Sequence, residues 1–122
     1  MDSDRGDELD PHFMKGGATT LLLSLLARQP MHGYQLTQQL SARSDGIFAF
    51  REGTIYPLLH GLEERGLVTS SWVAGEGERK RKVYAITPSG RKALARRMRQ
   101  WSLFSRGMEL VAGKRRPRGS EA

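Results

Sequence analysis

At 122 residues the chain is long enough for one hydrophobic core and short for two, so a single domain is expected. Its 20 Lys plus Arg stand against 13 Asp plus Glu, a formal +7 with a pI near 10.4, a balance that draws polyanions such as nucleic acid or an anionic membrane surface. Cysteine is absent, which excludes disulfides, thiolate catalysis and Cys-ligated zinc.

The charge is uneven along the chain. Asp2, Asp4, Asp7, Glu8 and Asp10 outweigh Arg5 and Lys15, giving the first fifteen residues a net −3, while the 18 bases and 8 acids from Gly16 onward give +10. Residues 1–16 are rich in Asp and Gly, contain Pro11 and lack a sustained apolar period, so a flexible acidic arm is expected. This start is unlike the cationic head and apolar run of a secretory signal. Leu21 to Ala27, broken by Ser24, is too short to cross a bilayer, and a cytoplasmic protein without a membrane partner is expected.

Ala18, Leu21, Leu22, Leu25 and Leu26 recur at helical spacing and predict a first helix over residues 18–28. Gln29-Pro30 stops it, because a residue before proline is steered away from helical backbone. Leu36 and Leu40, entered through Tyr34, predict a second helix over 34–43, and Ser44-Asp45-Gly46 a turn. Ile47 to Phe50 fits a short strand or a packed loop equally well.

Ile55, Leu58, Leu59 and Leu62 form the stripe of a third helix over 54–65. Pro57 has no N–H and belongs in a first turn, which makes Thr54 or a neighbour the expected cap, and Gly66 suits a left-handed terminator. Residues 67–73 and 80–87 are rich in Val, Thr, Tyr, Trp and Ile, and the glycine-rich stretch between them predicts a hairpin. Thr87-Pro88 then opens a fourth helix over 88–112. Leu94, Trp101 and Met108, with Phe104 and Val111 shifted by three, repeat as a and d positions of a seam that a second copy of the chain can cover. The basic residues 113–122 are expected to form a disordered tail.

The fold implied is mainly α (α+β): a winged helix-turn-helix over residues 17–87 and a C-terminal dimerisation helix over 88–112. A short helix before a hairpin with a cationic strand suits insertion of one element in a DNA groove and another on the phosphates. DNA contacts are expected from Thr54, Tyr56, Pro57 and His60 on the third helix, Tyr34 at the start of the second, and the wing bases Arg79, Lys80, Arg81 and Lys82. Strand alternation sends Arg79 and Arg81 to one side and Lys80 and Lys82 to the other. Against these stand plainer roles: Tyr34 packed on Leu58 or Leu59, and the wing bases guarding a strand edge. Leu22, Leu25, Leu94, Met98, Trp101, Phe104, Met108 and Val111 are the expected dimer interface.

No enzyme, metal or cofactor is expected. His12, His32 and His60 lack metal-ligand spacing, no nucleophile and base stand together, and no phosphate-cradling or dinucleotide-binding glycine pattern occurs.

The segments LLLSLLARQPMHGYQL, EGTIYPLLHGLEERGLV and RKRKVYAITPSGRKAL, in this order, resemble the PadR family of bacterial transcriptional regulators, in its compact subfamily with one C-terminal helix. The resemblance implies a homodimeric repressor on a near-palindromic double-stranded DNA operator, released by a ligand or signal. It further implies a small aromatic or hydrophobic effector stacking on Trp101 at the dimer centre. The competing readings are a winged-helix adaptor for an acidic protein partner and a small-molecule sensor in which the pocket at the dimer centre matters more than DNA.

Overall fold

The structure, a computed structural model, describes residues 15–75, 77 and 79–113; the residues of the expected acidic arm before position 15 and of the expected basic tail after 113 lie outside them. In chain order it comprises α1 (Lys15–Leu26), β1 (Met31–His32), α2 (Gly33–Arg43), α3 (Glu52–Glu64), β2 (Val68–Ala74), β3 (Lys80–Ile86) and α4 (Pro88–Ala112). The three strands form an antiparallel sheet in the order β1-β3-β2, with Met31 opposite Tyr84 and Trp72 opposite Lys82. This is the winged helix-turn-helix expected from the sequence, with one long helix appended.

α1 supplies the centre of the core. Leu22, Leu23, Leu25 and Leu26 are all buried, joined by Leu36 and Leu40 of α2, Ile55, Leu59 and Leu62 of α3, and Met31, Val68 and Tyr84 of the sheet. α1 begins at Lys15, three residues before the expected start and inside the expected arm, because Gly16 and Gly17 continue the helix instead of preceding it. It ends at Leu26, and a turn carries Ala27 and Arg28 toward Pro30.

β1 is absent from the expectations, and its two residues are too short to show a period. His32 also opens α2: the Gln35 amide approaches its Nδ1 at 3.3 Å, and Gln35 Oε1 accepts from the His32 amide at 3.1 Å. Between α2 and α3, residues 47–50 form a loop that buries Phe50 and half-buries Phe48.

α3 corrects one expectation. Its N-cap is Arg51, which makes no side-chain capping bond, so Thr54 is an internal residue and Pro57 lies in the second turn. The ring is tolerated there because the carbonyl it leaves unpaired belongs to Gly53, an exposed residue that water can reach. At the other end Gly66 adopts a left-handed φ of 75°, while its amide and that of Leu67 close on the Glu63 and Leu62 carbonyls at 3.0 and 2.9 Å.

Thr87 joins the sheet to α4 and pins both to this corner. Its amide donates to the Leu67 carbonyl at 3.0 Å, its hydroxyl donates to the Gly66 carbonyl at 2.7 Å, and the same oxygen accepts from the Gly90 amide at 3.0 Å. Gly90 is buried so closely that a Cβ would overlap the Leu67 carbonyl and the Ile86 side chain. α4 then runs to Ala112, closed by Gly113 at a φ of 68°.

One core group stands out chemically. The Tyr84 hydroxyl is buried with no hydrogen-bond partner among the described residues, and burial, followed by the Glu63 carboxylate, pushes its pKa up. Among the described residues no helix is long and apolar enough to cross a membrane.

Candidate nucleic-acid interface

The start of α2, the start of α3 and the turn end of the wing meet around an open groove of about 330 Å³. Its walls are His32 and Tyr34, Glu52 and Tyr56, and Arg79, Lys80 and Arg81. Three cations face one carboxylate here, so the groove suits an anion. Residues at the starts of α2 and α3 line the same groove, where the partial positive charge of helix N-termini adds to the potential.

Local sequence explains this convergence. Gly33 lets the Tyr56 ring lie where a Cβ would otherwise stand, so α3 approaches α2 at its first residue. The Tyr56 ring packs on the core as a half-buried side chain, while Tyr34 is 52% exposed. β1 pairs with β3 at His32 and Val83, and this brings the His32 ring within reach of Arg81, whose Nη1 lies 2.8 Å from Nε2. Desolvation, then Arg81, lowers the His32 pKa, with Glu52 opposing.

The nine residues expected to meet DNA divide. Tyr34, Tyr56, Arg79, Lys80 and Arg81 share the groove. Lys80, the first residue of β3, lines it together with Arg79 and Arg81 although alternation assigns it the opposite side; its long stem can reach round the strand end. Lys82 turns away, its Nζ 5.9 Å from the ring centres of Trp72 and Tyr84. Pro57 and His60 lie outside the groove on the exposed face of α3, in line with Gly53 and Glu64, and Thr54 is half-buried beside them. Sequence reasoning misses His32 and Glu52. The signal for His32 is a capping box, His32 followed three residues later by Gln35, whereas the spacing of the histidines speaks only to metals.

The second surface is the apolar side of α4. Trp101, Phe104, Met108 and Val111 are 56%, 58%, 51% and 90% exposed, and Met98 is also open. Trp101 and Phe104 pack ring to ring at 6.0 Å. Leu94 is packed against the core, and Leu22 and Leu25 are 0% and 5% exposed within a single chain. These two leucines are therefore core residues, not interface residues: α1 is buried on several sides, and its periodicity cannot distinguish one covering surface from another. A cavity of about 300 Å³ opens between α1 and α4, lined by Thr20, Leu21, Ser24, Phe48, Met98 and Trp101.

Comparison with known proteins agrees with this architecture. Residues 22–96 match the transcriptional regulator PadR-like family. The chain is 34% identical over 108 residues to the transcriptional regulator Rv3488 of Mycobacterium tuberculosis, covering 88% of this chain and 95% of that protein. Among solved structures, a PadR family transcriptional regulator from Eggerthella lenta superposes with a TM-score of 0.75 at 31% identity, over 85% of this chain and 88% of that one. A transcriptional regulator from Clostridium thermocellum gives the same TM-score at 26% identity, over 83% and 95%. A family match across more than half of the sequence, on a winged helix-turn-helix with one appended helix, establishes that the chain belongs to the PadR-like family of transcriptional regulators.

Proposed function

We propose that this regulator acts as a homodimeric repressor that binds a near-palindromic operator and leaves it when a small aromatic or hydrophobic effector, or another signal, reaches the dimer centre. The observation that carries the DNA contact is the groove in which Tyr34, Tyr56, Arg79, Lys80 and Arg81 converge. Hydroxyls and guanidinium groups grip phosphate oxygens and set register, and the exposed side of α3, with His60 at its middle, faces the bases. A two-fold pair spaces its two α3 helices by about 34 Å, one turn of the duplex.

Dimerisation is supported by the open apolar seam of α4, whose rings and methionine have nothing from their own chain to cover them among the described residues. The cavity beside Trp101 lies at the edge of that seam, so a planar ligand there touches both α1 and α4 and can favour one packing of the pair over another. The test is an electrophoretic titration of the full chain on the DNA upstream of its own gene, with Arg79→Ala/Arg81→Ala beside it. Preference for that DNA over random duplex, lost in the double variant while dimerisation persists, is expected. Equal affinity for both DNAs would overturn operator recognition.

A further inference from the structure

The contact between His32 and Arg81 sets up a competition that a single imidazole cannot satisfy. A guanidinium only donates, so Arg81 Nη1 at 2.8 Å requires Nε2 to be unprotonated. The Gln35 amide, 3.3 Å from Nδ1, also only donates. A neutral ring has one acceptor nitrogen, and the shorter contact belongs to Arg81. An imidazolium has none, so protonation ends the bond from Arg81 and places a like charge beside the guanidinium. The start of α2 keeps half of its capping box in that state, because Gln35 Oε1 accepts from the His32 amide whatever the ring does.

The charged and polar groups that share the groove with the ring are Arg79 just before β3, Lys80 and Arg81 from β3, Glu52 and Tyr56 from α3, and Tyr34 from α2. Without DNA the cations outnumber the carboxylate and disfavour a further positive charge. A phosphate in the groove reverses that balance: it stabilises an imidazolium and competes with the ring for Arg81.

We propose that His32 is a positioning residue for the wing: its neutral ring parks Arg81 against the start of α2, and proton uptake on DNA binding frees that guanidinium to meet a backbone phosphate. This rests on the DNA-binding reading above. The sign follows from linkage. The free protein holds the His32 pKa below its ordinary value and the complex raises it, so affinity increases as pH falls through the bound-state pKa and levels off below the free-state one. One proton limits the gain to about tenfold per pH unit.

The experiment is fluorescence anisotropy of a labelled operator duplex with the full chain, between about pH 5 and 8 at constant ionic strength, for the parent and His32→Asn. Asparagine is a preferred N-cap, so α2 keeps its start, but it neither titrates nor spans to Arg81. His12 and His60 are present in both proteins and cancel in the difference. Calorimetry in two buffers of unlike ionisation enthalpy counts the protons taken up. The parent should gain affinity toward low pH and take up a proton fraction that His32→Asn lacks. Equal slopes and equal proton counts would overturn the proposal, as would a uniform loss of affinity with unchanged slope, which marks a structural cap only. His32→Gln decides between the same outcomes should the asparagine variant fold poorly. A parent that binds no duplex at any pH removes the DNA-binding reading first, and is recognised before any variant is compared.

Discussion

A single methyl group added to two different helices should act in opposite directions. Gly90 sits in the first turn of α4, where a Cβ would meet the Leu67 carbonyl, a backbone atom that cannot turn aside. Gly90→Ala must push the start of α4 off the corner, stretching the Thr87 bonds to Gly66 and Leu67. Overpacking of about 1–3 kcal/mol and a weakened hydrogen bond of about 1 kcal/mol oppose a gain of about 1 kcal/mol from replacing glycine in a helix. The net is a loss of about 1–3 kcal/mol, which lowers the urea midpoint by about 1 M for a chain of this size. At Gly61, inside α3, an added Cβ would have no neighbour within 4 Å among the described residues, so Gly61→Ala keeps only the gain, about 0.5–1 kcal/mol. Urea unfolding followed by circular dichroism, at one protein concentration, measures both. A Gly90→Ala midpoint at or above the parent's would refute the claim that this corner is held by backbone contact.

Thr87→Ala removes both side-chain bonds at the same junction and should cost about 1.5–3 kcal/mol, with Thr87→Ser restoring most of it; identical stability in the two variants would deny the cap its role. Phe104→Glu places a charge in the α4 seam and should convert the proposed dimer to monomer in sedimentation experiments while the fold, read by circular dichroism, persists. Arg79→Gln/Arg81→Gln should lower the magnitude of the salt slope of DNA binding by about 2, at about 0.9 per lost phosphate contact, in titrations from low to moderate salt. Planar aromatic compounds should quench Trp101 fluorescence, and Trp101→Phe should abolish the response while Trp72→Phe leaves it intact.

How far the fold can be read from the residues depends on whether a pattern is periodic or pairwise. α2, α3 and α4 each expose a polar side, so apolar spacing outlines them, and Thr87, Pro88 and Gly66 mark ends whose chemistry is local. α1 is buried on several sides, and its leucines look the same whether they face the chain's own core or a partner; Leu22 and Leu25, expected at a dimer interface, are buried in the chain's own core. β1 exists only because β3 lies beside it. The groove has the same origin. Tyr34, Tyr56 and the wing bases can be named individually from their residue types, but the link from His32 to Arg81 spans 49 positions and depends on that two-residue strand, which no window of sequence contains.

The joint at Thr87 has a mechanical meaning. One residue separates the last paired position of β3 from a helix of 25 residues, roughly 37 Å long, so hairpin and rod turn together as a lever about that corner. A tilt of about 5° at the far end of the rod corresponds to a displacement of about 3 Å over that length, comparable to the rise of one base-pair step. Repacking among the rings of α4 would thus swing the hairpin through the same angle, without any loop having to unfold.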